Sequence, residues 1–181
     1  MKRLFSPWRL DYVAGGGRRE RGCVFCRAER SRDDRAVLVV ARGRTHFVIL
    51  NKYPYNNGHL MIVPRRHLAS PSEATPAARA EMMDLLVRAE AALCAAYRPS
   101  GLNLGMNLGR AAGAGIEGHY HLHLVPRWDG DTNFMTVAHS TRVIPEALET
   151  TWQRLSDLLA RPAGSPRRLP TRRAAGRGRP R

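Results

Sequence analysis

The sequence predicts an α+β fold, with an antiparallel sheet of about five strands, a long helix packed on one face and a further helix near the C-terminus. Five short apolar runs separated by turn residues supply the strands. An Asn-Asn-Gly turn between two of them signals a hairpin, and two segments with apolar stripes at helical spacing supply the helices. At 181 residues with 43% apolar content, the chain is long enough for one domain with a sizeable core.

After a basic N-terminal stretch, Gly15, Gly16 and Gly17 lead into a charged segment containing Cys23-Val-Phe-Cys26, which reads as a loop. Strands are expected over 36–40, 47–50 and 59–63, where runs that are partly β-branched lie between Arg/Gly or Pro/Asn/Gly clusters. Asn56, Asn57 and Gly58 form the hairpin turn between the second and third. Thr75 before Pro76 has the form of an N-cap and a first-turn proline, and Met82, Leu86, Ala89, Leu93 and Tyr97 then fall on one stripe, ended by Pro99 and Gly101. Cys94, inside this helix, reads as a small buried apolar residue. Two more strands are expected over 102–108 and 119–125, followed by a helix from near Pro145 with Leu148, Trp152, Leu155 and Leu159 on its apolar side.

Thirty Lys and Arg stand against 15 Asp and Glu, a formal charge of +15, which suggests a polyanion among the partners. About half of that surplus lies in residues 161–181, which contain eight Arg and no acid. Rich in Pro, Gly and Arg, this tail cannot bury enough apolar surface to offset its ordering entropy, so disorder and weak, non-specific attraction to nucleic acid are expected. No run approaches the ~20 apolar residues of a membrane span, and the N-terminus has no signal-peptide core, so a cytoplasmic protein is expected. Three cysteines in a reducing compartment argue against a disulfide framework.

Chemistry concentrates in His119-Tyr-His-Leu-His-Leu-Val-Pro126. On a strand of period two, His119, His121 and His123 share one face while Tyr120, Leu122 and Leu124 pack on the other. The three could be ligands of one catalytic metal. However, the first and third Cα atoms would lie ~13 Å apart, so only a neighbouring pair would bind comfortably. The central imidazole is then available as a nucleophile or acid/base group, and a neutral nitrogen suits attack on an anionic phosphate. His59 and nearby backbone N–H groups would hold phosphate charge. The loop 109–118, with four glycines, allows close backbone approach to phosphate oxygens, although it is equally a plain turn. Cys23-Val-Phe-Cys26 alone is consistent with a redox pair, a metal half-site or chance.

The alternation His119-Tyr-His-Leu-His-Leu-Val-Pro resembles the signature of the histidine triad (HIT) superfamily of nucleotide hydrolases and transferases. Asn51-Lys-Tyr-Pro-Tyr-Asn-Asn-Gly-His59-Leu-Met-Ile-Val-Pro64 resembles its nucleotide-binding hairpin. With the segments 3–12 and 125–134, the chain is most similar to the bacterial diadenosine tetraphosphate phosphorylase branch. The resemblance implies a HIT domain over 1–160, with 1–35 as an N-terminal extension and 161–181 left as tail.

The resemblance further implies that His121 is the nucleophile that becomes nucleotidylated, that His123 and His59 contact phosphates, and that His119 orients the site or serves a metal. Asn51 matches the position of a ribose-binding residue, and Asn107 and Trp128 match substrate-binding positions of the phosphorylase branch. Gly115 departs from the family, which carries Gln or Ser there, leaving only a backbone N–H for phosphate. Similarity to zinc-containing HIT proteins implies a structural zinc on Cys23, Cys26, His67 and His119. An adenine nucleotide or dinucleoside polyphosphate is the implied substrate and a homodimer the implied assembly. Alternatives are a nucleoside phosphoramidase of the same family, a metal hydrolase using the triad as ligands, and a nucleic-acid-binding module driven by the tail. His46 and His139 suggest no role beyond surface or locally bonded residues.

Overall fold

The computed structural model describes residues 22–131 and 146–160. The N-terminal motif, His139, the expected helix start at Pro145 and the Arg-rich tail lie outside these residues. The observed elements are α1 (Val24–Arg30), β1 (Val39–Arg42), β2 (His46–Leu50), β3 (Leu60–Pro64), α2 (Pro76–Tyr97), β4 (Gly101–Gly105), β5 (Leu122–Arg127) and α3 (Leu148–Ala160). The five strands form one antiparallel sheet in the order β1-β2-β3-β5-β4. The predicted α+β class is the observed one.

Alternation along the central strands splits the core into two clusters. Val48, Leu50, Leu60, Ile62, Leu122 and Leu124 face α2 and α3, where they meet Met82, Leu86, Ala89, Leu93, Leu155 and Leu159. Phe47, Ile49, Met61 and Val63 point the other way and pack against Phe25 and Ala28. That second cover corrects the expectation of helices on one face only: the Cys23–Cys26 segment, read as a loop, forms the seven-residue helix α1. Burial on both faces explains why β3, and β2 after His46, are apolar throughout rather than alternating.

Local chemistry accounts for the element ends. The Thr75 side chain accepts from the Ala78 N–H, and Pro76 opens α2 as expected. Arg98 closes it in the left-handed region at φ 48°, one residue before Pro99. In the β2–β3 hairpin, Leu50 pairs with Leu60, and Gly58 takes φ +72° at the turn. β1 starts later than predicted because a turn precedes it, with Leu38 at φ 63° and the Val39 N–H donating to the Asp34 carbonyl at 2.8 Å, and the Trp152 indole N–H donates to the Val39 carbonyl at 2.7 Å, docking α3 there. Arg88 donates to the Leu159 carbonyl at 2.7 Å, satisfying an orphan acceptor at the end of α3. Cys94 is buried, in line with its apolar reading.

His46 is a buried residue bonded to its chain neighbour rather than a surface one. It is fully buried, its Nδ1 lies 2.9 Å from the Thr45 hydroxyl, and its Nε2 lies 2.8 Å from the Tyr120 hydroxyl. Among the described residues, no helix is long and apolar enough to cross a membrane.

Candidate active site

The strand expected over 119–125 begins at Leu122, because its partner β3 pairs with it only from Ile62 back to Leu60. His119 and His121 therefore lie in the lead-in to β5 and only His123 lies within it. The predicted alternation nevertheless holds. Tyr120, Leu122 and Leu124 enter the helix-side core, while His123, paired with Met61, faces the other way. The His121 and His123 rings meet edge to face with centroids 4.8 Å apart, and His123 lies 5.1 Å from His59.

Hydrogen bonds fix which nitrogen of each ring carries its proton. His121 Nδ1 lies 3.0 Å from the main-chain oxygen of His119, which can only accept, so Nδ1 donates and Nε2 keeps its lone pair. His59 Nδ1 accepts from the Tyr55 N–H at 3.1 Å, so its proton sits on Nε2 and is donated to His123 Nδ1 at 2.9 Å. His123 in turn carries its proton on Nε2. Burial, reinforced by His123 and His121, pushes His59 down to about 3, and burial also lowers His121 below the usual imidazole range. His59 and His121 are therefore neutral imidazoles at neutral pH.

The hairpin frames this row. Asn51 places its amide nitrogen 3.4 Å from His59 Nδ1 and accepts from the Tyr53 N–H at 2.9 Å through Oδ1, while the Tyr55 ring stacks on His59 at 4.9 Å. Asn56 ties the hairpin turn to the end of β5, donating to the Pro126 carbonyl at 2.9 Å and to Asp131 at 2.8 Å. Asp131 also receives two hydrogen bonds from Arg127, at 2.6 and 2.8 Å, and these hold its carboxyl well below the usual carboxylate range.

His119 belongs to a second constellation. It donates from Nε2 to the Pro64 carbonyl at 2.8 Å, which leaves Nδ1 facing Cys23 Sγ at 3.3 Å and Cys26 Sγ at 3.7 Å. His67 Nδ1 lies 3.2 Å from Cys26 Sγ, and one ligand atom from each of the four residues falls within 4.8 Å of the others. A tetrahedral ion with metal–sulfur bonds of ~2.3 Å and metal–nitrogen bonds of ~2.05 Å sets its S and N ligands ~3.6 Å apart, so this group could hold one. Burial, and then the adjacent Cys23, push the Cys26 thiol up; a divalent cation is the kind of group that relieves such a pair.

The structure brings His59, His121, His123 and Asn51 together, and gathers His119 with Cys23, Cys26 and His67. Asn107 is half-buried two residues past Gly105, the residue opposite His123 in the β4–β5 register. Gly115 is exposed in the loop after the 3-10 turn at Arg110–Ala112. Trp128 is not brought to the row: it sits beyond the far end of β5, seven residues or roughly 23 Å from His121, with its indole N–H donating to the Tyr97 carbonyl at 3.4 Å.

Three residues escaped the sequence reading. Phe25 packs 5.0 Å from the His121 ring, and its place inside the CxxC was the available signal. Tyr55 is the hairpin aromatic that stacks on His59. Gly105 lies opposite His123, where an added Cβ would meet nothing within 4 Å, so space beside that imidazole is open.

Known proteins resemble this chain in sequence and fold. A protein-family model described as HIT domain matches residues 34–130. An AP-4-A phosphorylase of Mycobacterium tuberculosis is 38% identical over 167 residues, covering 89% of this chain and 86% of its own. A zinc-bound histidine triad family protein from Mycobacterium smegmatis superposes with a TM-score of 0.61 at 26% identity, covering 77% of this chain and 94% of that one. A hypothetical histidine triad nucleotide-binding protein from Sulfolobus tokodaii gives the same TM-score and identity over 76% of this chain and 91% of its own. With the family match spanning the sheet, the hairpin and the whole imidazole row, the chain belongs to the HIT domain family.

Proposed function

We propose that this HIT-family nucleotide-processing enzyme acts on dinucleoside polyphosphates by a two-step nucleotidyl transfer through His121. The observation that carries the reading is the bond from His121 Nδ1–H to the His119 carbonyl, which leaves an unprotonated Nε2 on a neutral ring. Nε2 attacks the α-phosphorus, forming a P–N bond as the P–O bond to the remaining polyphosphate breaks. Water or inorganic phosphate then attacks the same phosphorus and restores the free imidazole. His123 presents its Nε2–H to phosphate charge and is held in that tautomer by His59. Asn51 binds the ribose hydroxyls, Asn107 contributes to substrate binding, and Gly115 offers its backbone N–H to phosphate. The AP-4-A phosphorylase relative supports diadenosine tetraphosphate as substrate and phosphate as acceptor.

Zinc is the metal proposed for Cys23, Cys26, His67 and His119. A closed Cys2His2 set supplies structure rather than an open catalytic position, and the zinc-bound relative supports this choice. The His119 bond to Pro64 orients that ligand, as a second shell does in such sites. A homodimer is proposed with it: Leu104 and Leu108 are 51% and 46% exposed on and just after the sheet-edge strand β4, where a second copy would cover them.

Incubation with diadenosine tetraphosphate, with and without phosphate, followed by separation of AMP, ADP and ATP, tests the reading. ADP formed only with phosphate identifies a phosphorylase, while AMP and ATP formed in water identify a hydrolase. His121→Asn is expected to stay folded and lose at least about 10³-fold in turnover; near-normal turnover in that variant contradicts the mechanism.

A further inference from the structure

The helix α1 carries Cys23 and Cys26 to the four-residue metal group, but Phe25, between them, meets imidazoles instead. Phe25 is 2% exposed, and its ring lies 5.4 Å from His119 in edge contact and 5.0 Å from His121. It thus contacts both the imidazole that faces the sulfurs and the one assigned as nucleophile. His119 is joined to His121 a second time, through the main-chain oxygen that receives the Nδ1–H at 3.0 Å.

A helix of seven residues has too few internal hydrogen bonds to fix its own position. Its C-terminal end is held from outside. Arg42 donates to Glu29 at 3.0 Å, to the Ala28 carbonyl at 2.9 Å and to the Ser31 carbonyl at 3.2 Å, and Arg65 donates to Glu29 at 2.7 Å. The N-terminal end packs through Phe25 into the second core cluster, and its Cys23 and Cys26 sulfurs face His119 and His67.

We propose that Phe25 is a positioning residue for His121, and that a divalent metal on Cys23, Cys26, His67 and His119 holds the start of α1 so that Phe25 bears on the His121 ring. Its consequence for turnover rests on the reading of His121 as nucleophile; its consequence for the ring's orientation does not. An imidazole that rotates off its carbonyl exchanges which nitrogen points at substrate, and small misplacements of a reacting group are costly in rate.

The test uses the full-length zinc-loaded protein with ¹⁵N-labelled histidine, so that NMR reports the His121 tautomer without substrate. Phe25→Leu and Phe25→Met remove the ring while keeping apolar bulk. Both are expected to retain one zinc per chain and to show His121 shifted from its single Nδ1–H tautomer toward a mixture. kcat should fall by about 10–100-fold, the usual range for outer-shell substitutions, with KM changed less than about twofold. Chelating zinc from the unsubstituted chain should give the same change in the His121 signals, and this measurement decides the matter should neither variant fold. An unchanged His121 spectrum in a folded Phe25 variant overturns the positioning role, and an unchanged spectrum after zinc removal overturns the link to the metal. Full turnover by His121→Asn would sink the nucleophile assignment alone and leave the NMR result standing.

Discussion

At the scale of residues, the site is a set of protons placed by neighbours rather than by acidity. The Tyr55 N–H occupies one nitrogen of His59, and buried surroundings keep that ring neutral down to about pH 3. The sign of its effect on stability follows. Between the ordinary imidazole value of ~6.5 and about 3, the unfolded chain binds a proton at His59 that the folded chain refuses, so stability rises with pH over this window and is lost as pH falls through it. The loss approaches ~1.4 kcal/mol per pH unit for this one group. Denaturant unfolding at pH 7 and pH 4.5 is expected to show a smaller difference for His59→Asn than for the unsubstituted chain, by about 1–3 kcal/mol. Equal pH dependence of the two proteins would contradict the neutral, proton-refusing assignment. None of this was legible in the sequence beyond the presence of His59 in the hairpin, because the depressed value comes from burial and from the rings of His123 and His121, far along the chain.

At the scale of elements, the alternation of His119, His121 and His123 with Tyr120, Leu122 and Leu124 was readable because a period of two survives even where strand pairing stops. The strand boundaries were not, since β5 begins where β3 ceases to offer a partner, a fact about pairing and not about propensity. Helix α1 was hidden for a similar reason: its stability comes from Arg42, Arg65 and the second core cluster, all distant in sequence. The β1–β2 turn likewise depends on Glu81 of α2, whose carboxylate receives the Arg44 and Thr45 N–H groups at 2.6 and 2.7 Å and the Thr45 hydroxyl. The β2–β3 turn, by contrast, announced itself through Gly58. A Cβ there would stand 2.9 Å from Leu93 Cδ2 and 3.1 Å from the Tyr97 ring, on a backbone at φ +72°. Gly58→Ala is expected to destabilise by about 2–3 kcal/mol, combining left-handed strain with overpacking. Gly109→Ala has φ +77° but nothing within 4 Å, so it should show the strain alone, about 1–2 kcal/mol. Equal denaturation midpoints for the two variants would mean that the hairpin does not pack on α2 as described.

At the scale of the molecule, the row of rings crosses the fold from the four residues that could hold a metal to the hairpin: His67, His119, Phe25, His121, His123, His59 and Tyr55 follow one another at centroid distances of 4.8–5.4 Å. Its first members come from three separate stretches of chain, α1, the segment after β3 and the lead-in to β5, with Cys23 and His119 lying 96 positions apart. A metal binding all four ligands cross-links these stretches, and because the four ligands converge only in the folded chain, binding adds to folding stability by mass action. At a free zinc concentration about 100 times the dissociation constant the gain is ~2.7 kcal/mol, which for a chain of this size raises the melting temperature by roughly 5–10 °C. Thermal unfolding with zinc and after chelation is expected to differ by that amount in the unsubstituted protein. Cys23→Ser removes a thiolate ligand and should abolish most of the difference while leaving the melting temperature near that of the chelated protein. A shift that persists undiminished in Cys23→Ser would place the stabilising metal elsewhere in the chain, and identical melting with and without zinc would remove the structural metal altogether.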